Sequence, residues 1–112
     1  MNEQDYESAF AIIAYAGNAK SNAMLAIRAA REGDFAKSQE LLVAADDDLV
    51  SSHKTQTQML TEEARGNPVK VNVILVHAQD HLSGAILVRS LADEFIHIYE
   101  RLQTAVTSTP MK

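Results

Sequence analysis

Three long stretches of the chain repeat their apolar positions every three or four residues, the signature of amphipathic helices with one face turned to a core. In the first, Phe10, Ile13, Ala16, Ala23, Ile27 and Ala30 form a stripe interrupted only by Lys20. The second runs through Phe35, Ser38, Leu42, Ala45, Leu49, Ser52, Gln56, Met59 and Glu63, turning polar beyond Ser52, with Asp46, Asp47 and Asp48 on its outer side. The third begins ambiguously, because Val69 to Val76 also reads as a strand. From Leu87 through Leu91, Phe95, Ile98 and Leu102 the helical interval returns, predicting one helix to about Ala105.

The breaks between the stretches are short and chemically explicit. Gly33 suits the left-handed position that ends a helix, and Asp34 can cap the next one. Gly66 ends the second stretch in the same way, and Pro68 prevents its continuation. Short links force antiparallel neighbours, so the predicted fold is all-α, three helices running up-down-up. The expected domain spans residues 1–106. The tail from Thr107 to Lys112 carries no pattern, contains Pro110, and is expected to fray.

Helices of about 28 to 35 residues would be about 42 to 52 Å long, which makes a slender bundle with much surface for its volume. The third helix carries Ile74, Leu75, Ile86, Leu87 and Val88 on more than one face, so self-association is expected. Ser52, Gln56, Asp80 and Glu94 fit a dry monomer core poorly and are expected at a wet or functional end of an assembly interface.

Composition narrows the chemistry. At 112 residues the chain fits one domain, and 46% hydrophobic with 22% charged residues is ordinary for a folded protein. Fifteen acidic against ten basic residues give a net charge of −5, which argues against nucleic acid as a partner. Cysteine is absent, so disulfides, thiolate nucleophiles and zinc knuckles are excluded, and any metal needs His, Asp, Glu or carbonyl ligands. The longest aliphatic run, Val73 to Val76, falls far short of the roughly 18 residues that span a bilayer. The acidic start Met1-Asn2-Glu3-Gln4-Asp5 lacks the order of a secretory signal, so a cytoplasmic location is expected.

The densest candidate chemistry is Val76-His77-Ala78-Gln79-Asp80-His81-Leu82. On a helix His77, Asp80 and His81 lie within about 60° of one another. Three readings of the residues stay open. They form a solvated polar patch; or His77 and His81 chelate a metal, although Ala78 stands where a zinc hydrolase has its Glu; or one imidazole is a nucleophile whose tautomer a neighbour fixes, the chemistry of phosphoryl relay. His53 reads as a surface or interface hydrogen-bonder and His97 as a cation near a helix C-terminus. Gly17 costs about 1 kcal/mol of helix propensity against Ala, which suggests close approach by a neighbour.

With these residues in view, the chain resembles the lactose/cellobiose type of enzyme IIA of the bacterial phosphoenolpyruvate-dependent sugar phosphotransferase system. Besides the segment from Val76 to Leu82, the resemblance is carried by Tyr15-Ala16-Gly17-Asn18-Ala19-Lys20-Ser21, Glu32-Gly33-Asp34-Phe35, His53-Lys54-Thr55-Gln56-Thr57 and Glu63-Ala64-Arg65-Gly66. It implies a homotrimer packed as a nine-helix bundle. It further implies that His77 is the phosphorylated residue, accepting from the histidine-containing phosphocarrier protein and passing the group to a cysteine of the sugar-specific enzyme IIB, which feeds the membrane enzyme IIC. The family's metal-binding aspartate falls on Asp80, expected to meet its symmetry copies around a divalent cation such as Mg2+. Gln79 and His81 are candidates for orienting the acceptor. Ser83-Gly84 departs from the bulkier pair usual in the family. The rival from a different class is a non-catalytic oligomeric helical scaffold or adaptor in which the His and Asp residues only fix register.

Overall fold

A computed structural model describes residues 1–108. It contains three helices, α1 (Glu3–Arg31), α2 (Phe35–Ala64) and α3 (Val73–Ser108). The up-down-up order expected from the sequence is observed, as one rod-like bundle 70 × 20 × 20 Å. Its radius of gyration is 18.3 Å, where a rounder domain of this length has about 13 Å.

The helix ends follow from local chemistry. Asn2 and Asp5 form a reciprocal capping box, each side chain accepting from the other's backbone N–H. Asp34 caps α2 by accepting from the Lys37 N–H at 3.0 Å. Gly33 and Gly66 both have positive φ, 84° and 90°. At each the chain closes a Schellman motif: Asp34 N–H donates to the Ala29 carbonyl, and Asn67 N–H to the Glu62 carbonyl, both at 2.9 Å.

Two boundaries of the third helix differ from expectation. Residues 69–72 are not helical, because Asn72 is the cap: its side-chain oxygen accepts from the Leu75 N–H at 2.9 Å, and α3 starts at Val73. At the far end α3 continues past Ala105 to Ser108, so Thr107 and Ser108 belong to the helix and not to a frayed tail. The rest of the expected tail, 109–112, lies outside the described residues.

The core is narrow because α1 turns a face of small residues inward. Ala9, Ile12, Ala16, Ala19, Ala23, Ala26 and Ala30 are buried at alternating three- and four-residue steps. Small side chains let neighbouring backbones come close, and α1 is the helix against which both others pack. Facing it, α2 buries Ser38, Leu42, Ala45 and Ser52, and α3 buries Ala78, Leu82, Ala85, Ala92 and Ile96. The buried hydroxyls reach across helices: Ser38 donates to the Ala26 carbonyl at 2.8 Å, and Ser52 to the Ile12 carbonyl at 3.3 Å. Each uses a carbonyl's second lone pair. Ser52 is therefore a core residue, not a marker of a wet interface.

At the outer edge of the α2–α3 contact, Arg89 joins the two helices. Its guanidinium donates to both carboxylate oxygens of Asp46, at 2.6 and 3.0 Å, and pairs with Asp93 at 2.9 Å. The Asp46 bonds, then Asp93, hold its pKa above the ordinary arginine value against partial burial. With the carboxylates half exposed, such a link adds no more than about 1 kcal/mol.

The apolar stripe that identified the third helix lies on its outside. Leu87 is 59% exposed, and Leu91, Phe95, Ile98 and Leu102 are also exposed. Phe10 and Lys20, taken as stripe positions in the first helix, are exposed as well.

The alanine face sets a testable limit on packing. Ala19→Leu should force the helices apart and lower the unfolding free energy by about 1–3 kcal/mol in urea titration. Ala14→Leu, on the exposed side of the same helix, should change it by less than about 0.5 kcal/mol.

Candidate functional site

The segment from Val76 to Leu82 forms the second and third turns of α3, and the helix deals its residues to different sides. Ala78 and Leu82 go into the core. Opposite them runs an uncovered line, Val73, Val76, Asp80, Gly84, Leu87, Leu91, Phe95, Ile98 and Leu102, spaced by threes and fours without a miss. Its large apolar members are all exposed, up to 83% at Val73. Asp80 is the one carboxylate in this line and is itself exposed.

His77 and His81 stand together on one flank, ring centroids 4.1 Å apart and planes at 52°. His77 is exposed and His81 half-buried. On this flank α1 and α3 border a groove of about 450 Å³ lined by Ala16, Gly17, Lys20, Ser21, Asp80, His81 and Gly84. A Cβ built on Gly17 or on Gly84 would meet nothing within 4 Å. The close neighbour expected at Gly17 is thus not supplied by this chain's own helices.

Gln79 lies elsewhere. Two residues from His77 on a helix, it is turned about 160° away. It faces α2, where its side-chain oxygen accepts a hydrogen bond from the Gln56 amide nitrogen. The structure therefore brings His77, His81 and Asp80 to one side and places Gln79 on the other. Gln56, expected from the sequence at a wet or functional end of an assembly interface, is half-buried and paired with Gln79, a pairing that no spacing within the chain signals.

The remaining histidines are isolated. His53 is exposed on α2. His97 is exposed about three turns before the end of α3, too far for the C-terminal charge preference, which fades within the last turn. Among the described residues no three His, Cys, Asp or Glu side chains gather as a metal site, so the two-histidine chelate lacks further ligands within one chain. Asp80 brings only itself.

The all-α rod thus sets the exposed His77 and the half-buried His81 beside an uncovered apolar line, at its surface rather than in an enclosed cleft. Residues 7–100 match the family described as PTS system, Lactose/Cellobiose specific IIA subunit, and the chain belongs to that family. It is 44% identical over 92 residues to the PTS system lactose-specific EIIA component of Streptococcus mutans, covering 82% of this chain and 88% of that one. It is 39% identical to the lichenan-specific phosphotransferase enzyme IIA component of Bacillus subtilis, over 91% and 93% of the two chains. Among solved structures, the cellobiose-specific enzyme IIA of Bacillus anthracis superposes with a TM-score of 0.89 at 39% identity, over 93% of this chain and 94% of that one. The IIA(Chitobiose) protein of Escherichia coli, solved in complex with HPr, gives 0.77 at 33% identity, over 92% and 99%.

Proposed function

We propose that this protein is a cytoplasmic phosphoryl carrier of a sugar phosphotransferase system serving β-disaccharide uptake, with His77 as the acceptor. The observation that carries the reading is the exposed His77 imidazole, held on a rigid helix in a chain of the IIA family. The complex with HPr formed by a structural relative supports a phosphocarrier donor. No helix of the described residues is long and apolar enough to cross a membrane, which suits a component that feeds a membrane transporter, enzyme IIC, without being embedded beside it.

The chemistry is two in-line displacements. A lone pair on a ring nitrogen of His77 forms a new P–N bond as the donor's P–N bond breaks, its electron pair returning to the donor imidazole. The group then leaves His77 when a cysteine thiolate of enzyme IIB forms a P–S bond and the His77 nitrogen recovers its pair. No acid–base relay is needed; rates depend on alignment and on donors to the phosphoryl oxygens. His81, in tilted contact with His77, restricts the ring and offers its own N–H to those oxygens.

The working form in this reading is a homotrimer closed along the exposed line of α3, giving a nine-helix bundle. Its support is the spacing from Val73 to Leu102, whose three-four-four steps repeat every eleven residues and keep one line along a nearly straight helix. Asp80 interrupts that seam, so a three-fold assembly brings three carboxylates together. Like charges so placed need a counter-charge or protonation. An oxygen-only donor set suits a hard divalent cation such as Mg2+, held by Asp80 of each copy, which would neutralise the cluster. The scaffold alternative has the same seam but no use for an exposed nucleophile.

Intact-mass measurement after incubation with phosphoenolpyruvate, enzyme I and the phosphocarrier should show one acid-labile phosphoryl group per chain. His77→Ala should abolish it with the helical circular dichroism unchanged; persistence of the labile group would exclude His77. In sedimentation equilibrium, Leu91→Glu should shift the trimer toward monomer. Asp80→Ala should remove any dependence of trimer stability on Mg2+.

A further inference from the structure

Lys20 stands where the apolar stripe of α1 would otherwise continue. It follows the buried Ala19 and is itself exposed. With Gly17 it forms the α1 side of the groove whose α3 side carries Asp80, His81 and Gly84. Within the described residues its ammonium has no hydrogen bond or ion pair, whereas Lys37, Arg65 and Arg89 each hold a carboxylate.

The fold aims this side chain at the imidazole pair. A helical side chain leans toward the N-terminus of its own helix, so Lys20 covers the turn that holds Ala16 and Gly17. A Cβ built on Gly17 would meet nothing within 4 Å, so the lysine stem has an open bed. In the up-down-up bundle α1 and α3 run in the same direction. His81 borders the groove at the level of Gly17 and Lys20, and His77 stands about 6 Å nearer the N-terminal end of α3. The lean of Lys20 is therefore toward His77.

Charge points the same way. A phosphoryl group on His77 carries about two negative charges, and it stands three residues from the Asp80 carboxylate, which repels it. Neutral imidazoles offer N–H groups but no charge to offset this. A lysine ammonium brings donors and a positive charge together. We propose, resting on the carrier reading above, that the Lys20 ammonium contacts the oxygens of the phosphoryl group on His77 and is a catalytic residue of its transfer. It neither takes nor gives a proton. The bonds formed and broken are those of the two displacements, and the ammonium offsets the charge on the phosphoryl oxygens throughout.

A small donor separates this contact from protein docking. In transfer from phosphoramidate the donor's P–N bond breaks and ammonia leaves with the bonding pair. A His77 nitrogen forms the new P–N bond, and the proton on the other ring nitrogen passes to water. In intact-mass measurements, label that disappears in His77→Ala is the His77 signal. Lys20→Met, of similar length without the charge, should slow that signal about 10-fold, the loss of one hydrogen bond to a charged group. Lys20→Arg should restore most of the rate. Arg28→Met removes the same charge about 12 Å further along α1 and should leave the rate unchanged. Circular dichroism and sedimentation should match wild type in all three variants.

A wild-type rate in Lys20→Met would overturn the inference. So would equal slowing in Arg28→Met, which would mean that only the overall charge matters. Slowing with the phosphocarrier but not with phosphoramidate would assign Lys20 to partner docking, and a change confined to the Mg2+ dependence of sedimentation would assign it to Asp80; both overturn the contact. All four results leave the carrier reading in place. A wild-type chain that takes no phosphoryl group from the phosphocarrier would overturn that reading and this inference together.

Discussion

The inner face of α1 is the constraint from which the rest of the architecture follows. Because it consists almost wholly of alanine, α2 and α3 can both lie close against it, and the core that results holds few large side chains. Among the described residues the large apolar side chains buried in it are Ile12, Leu42, Leu82 and Ile96. Apart from Leu82 and Ile96, most bulky apolar residues of α3 then have no inward place, and many appear on the opposite side as a straight exposed line. A thin core and an uncovered seam are two aspects of one sequence choice. Each Å² of apolar surface left on that line forgoes about 25 cal/mol that its burial would contribute.

Helical phase then separates the chemistry. From one seven-residue segment the 100° step sends Ala78 and Leu82 inward, Asp80 outward to the seam, His77 and His81 to one flank and Gln79 to the other. No loop or insertion is required. The segment works as a distribution device whose outputs are a packing anchor, an exposed carboxylate, an imidazole pair and a hydrogen-bonded amide. Each is placed by a rigid helix, which holds functional groups more tightly than a loop would.

Much of this was legible in the sequence, for identifiable reasons. Gly33, Asp34 and Gly66 encode their turns locally, so the helix count and order follow from the chain alone. The start of α3 was less clear because Val69 to Val76 is uniformly apolar; Asn72, a side-chain cap, was the decisive residue. Its end was missed because Thr107 and Ser108 carry no apolar period yet continue the helix. The deeper ambiguity concerned faces. A period of three and four residues marks a helix but does not say which of two apolar stripes turns inward. The large residues drew attention to Leu87, Leu91 and Phe95, whereas the core uses the small Ala78, Ala85 and Ala92. Similarly, Ser52 looked too polar for a dry core, but a hydroxyl that finds the Ile12 carbonyl is satisfied there.

Gly17 and Gly84 close the argument about faces. Glycine within a helix weakens it by about 1 kcal/mol relative to alanine, and within one chain neither glycine gains anything in return, since a Cβ at either position would touch nothing. Both line the same groove, beside Asp80 and His81 and adjoining the exposed seam. Two helices that each give up a methyl group on the same open side are shaped for something outside the chain. The neighbour that Gly17 implies is not one of this chain's own described helices, and Gly17 opens to the side where Asp80 and the apolar line also lie. The same side thus carries the uncovered hydrophobic residues, Asp80, the vacated volume and the imidazoles of His77 and His81.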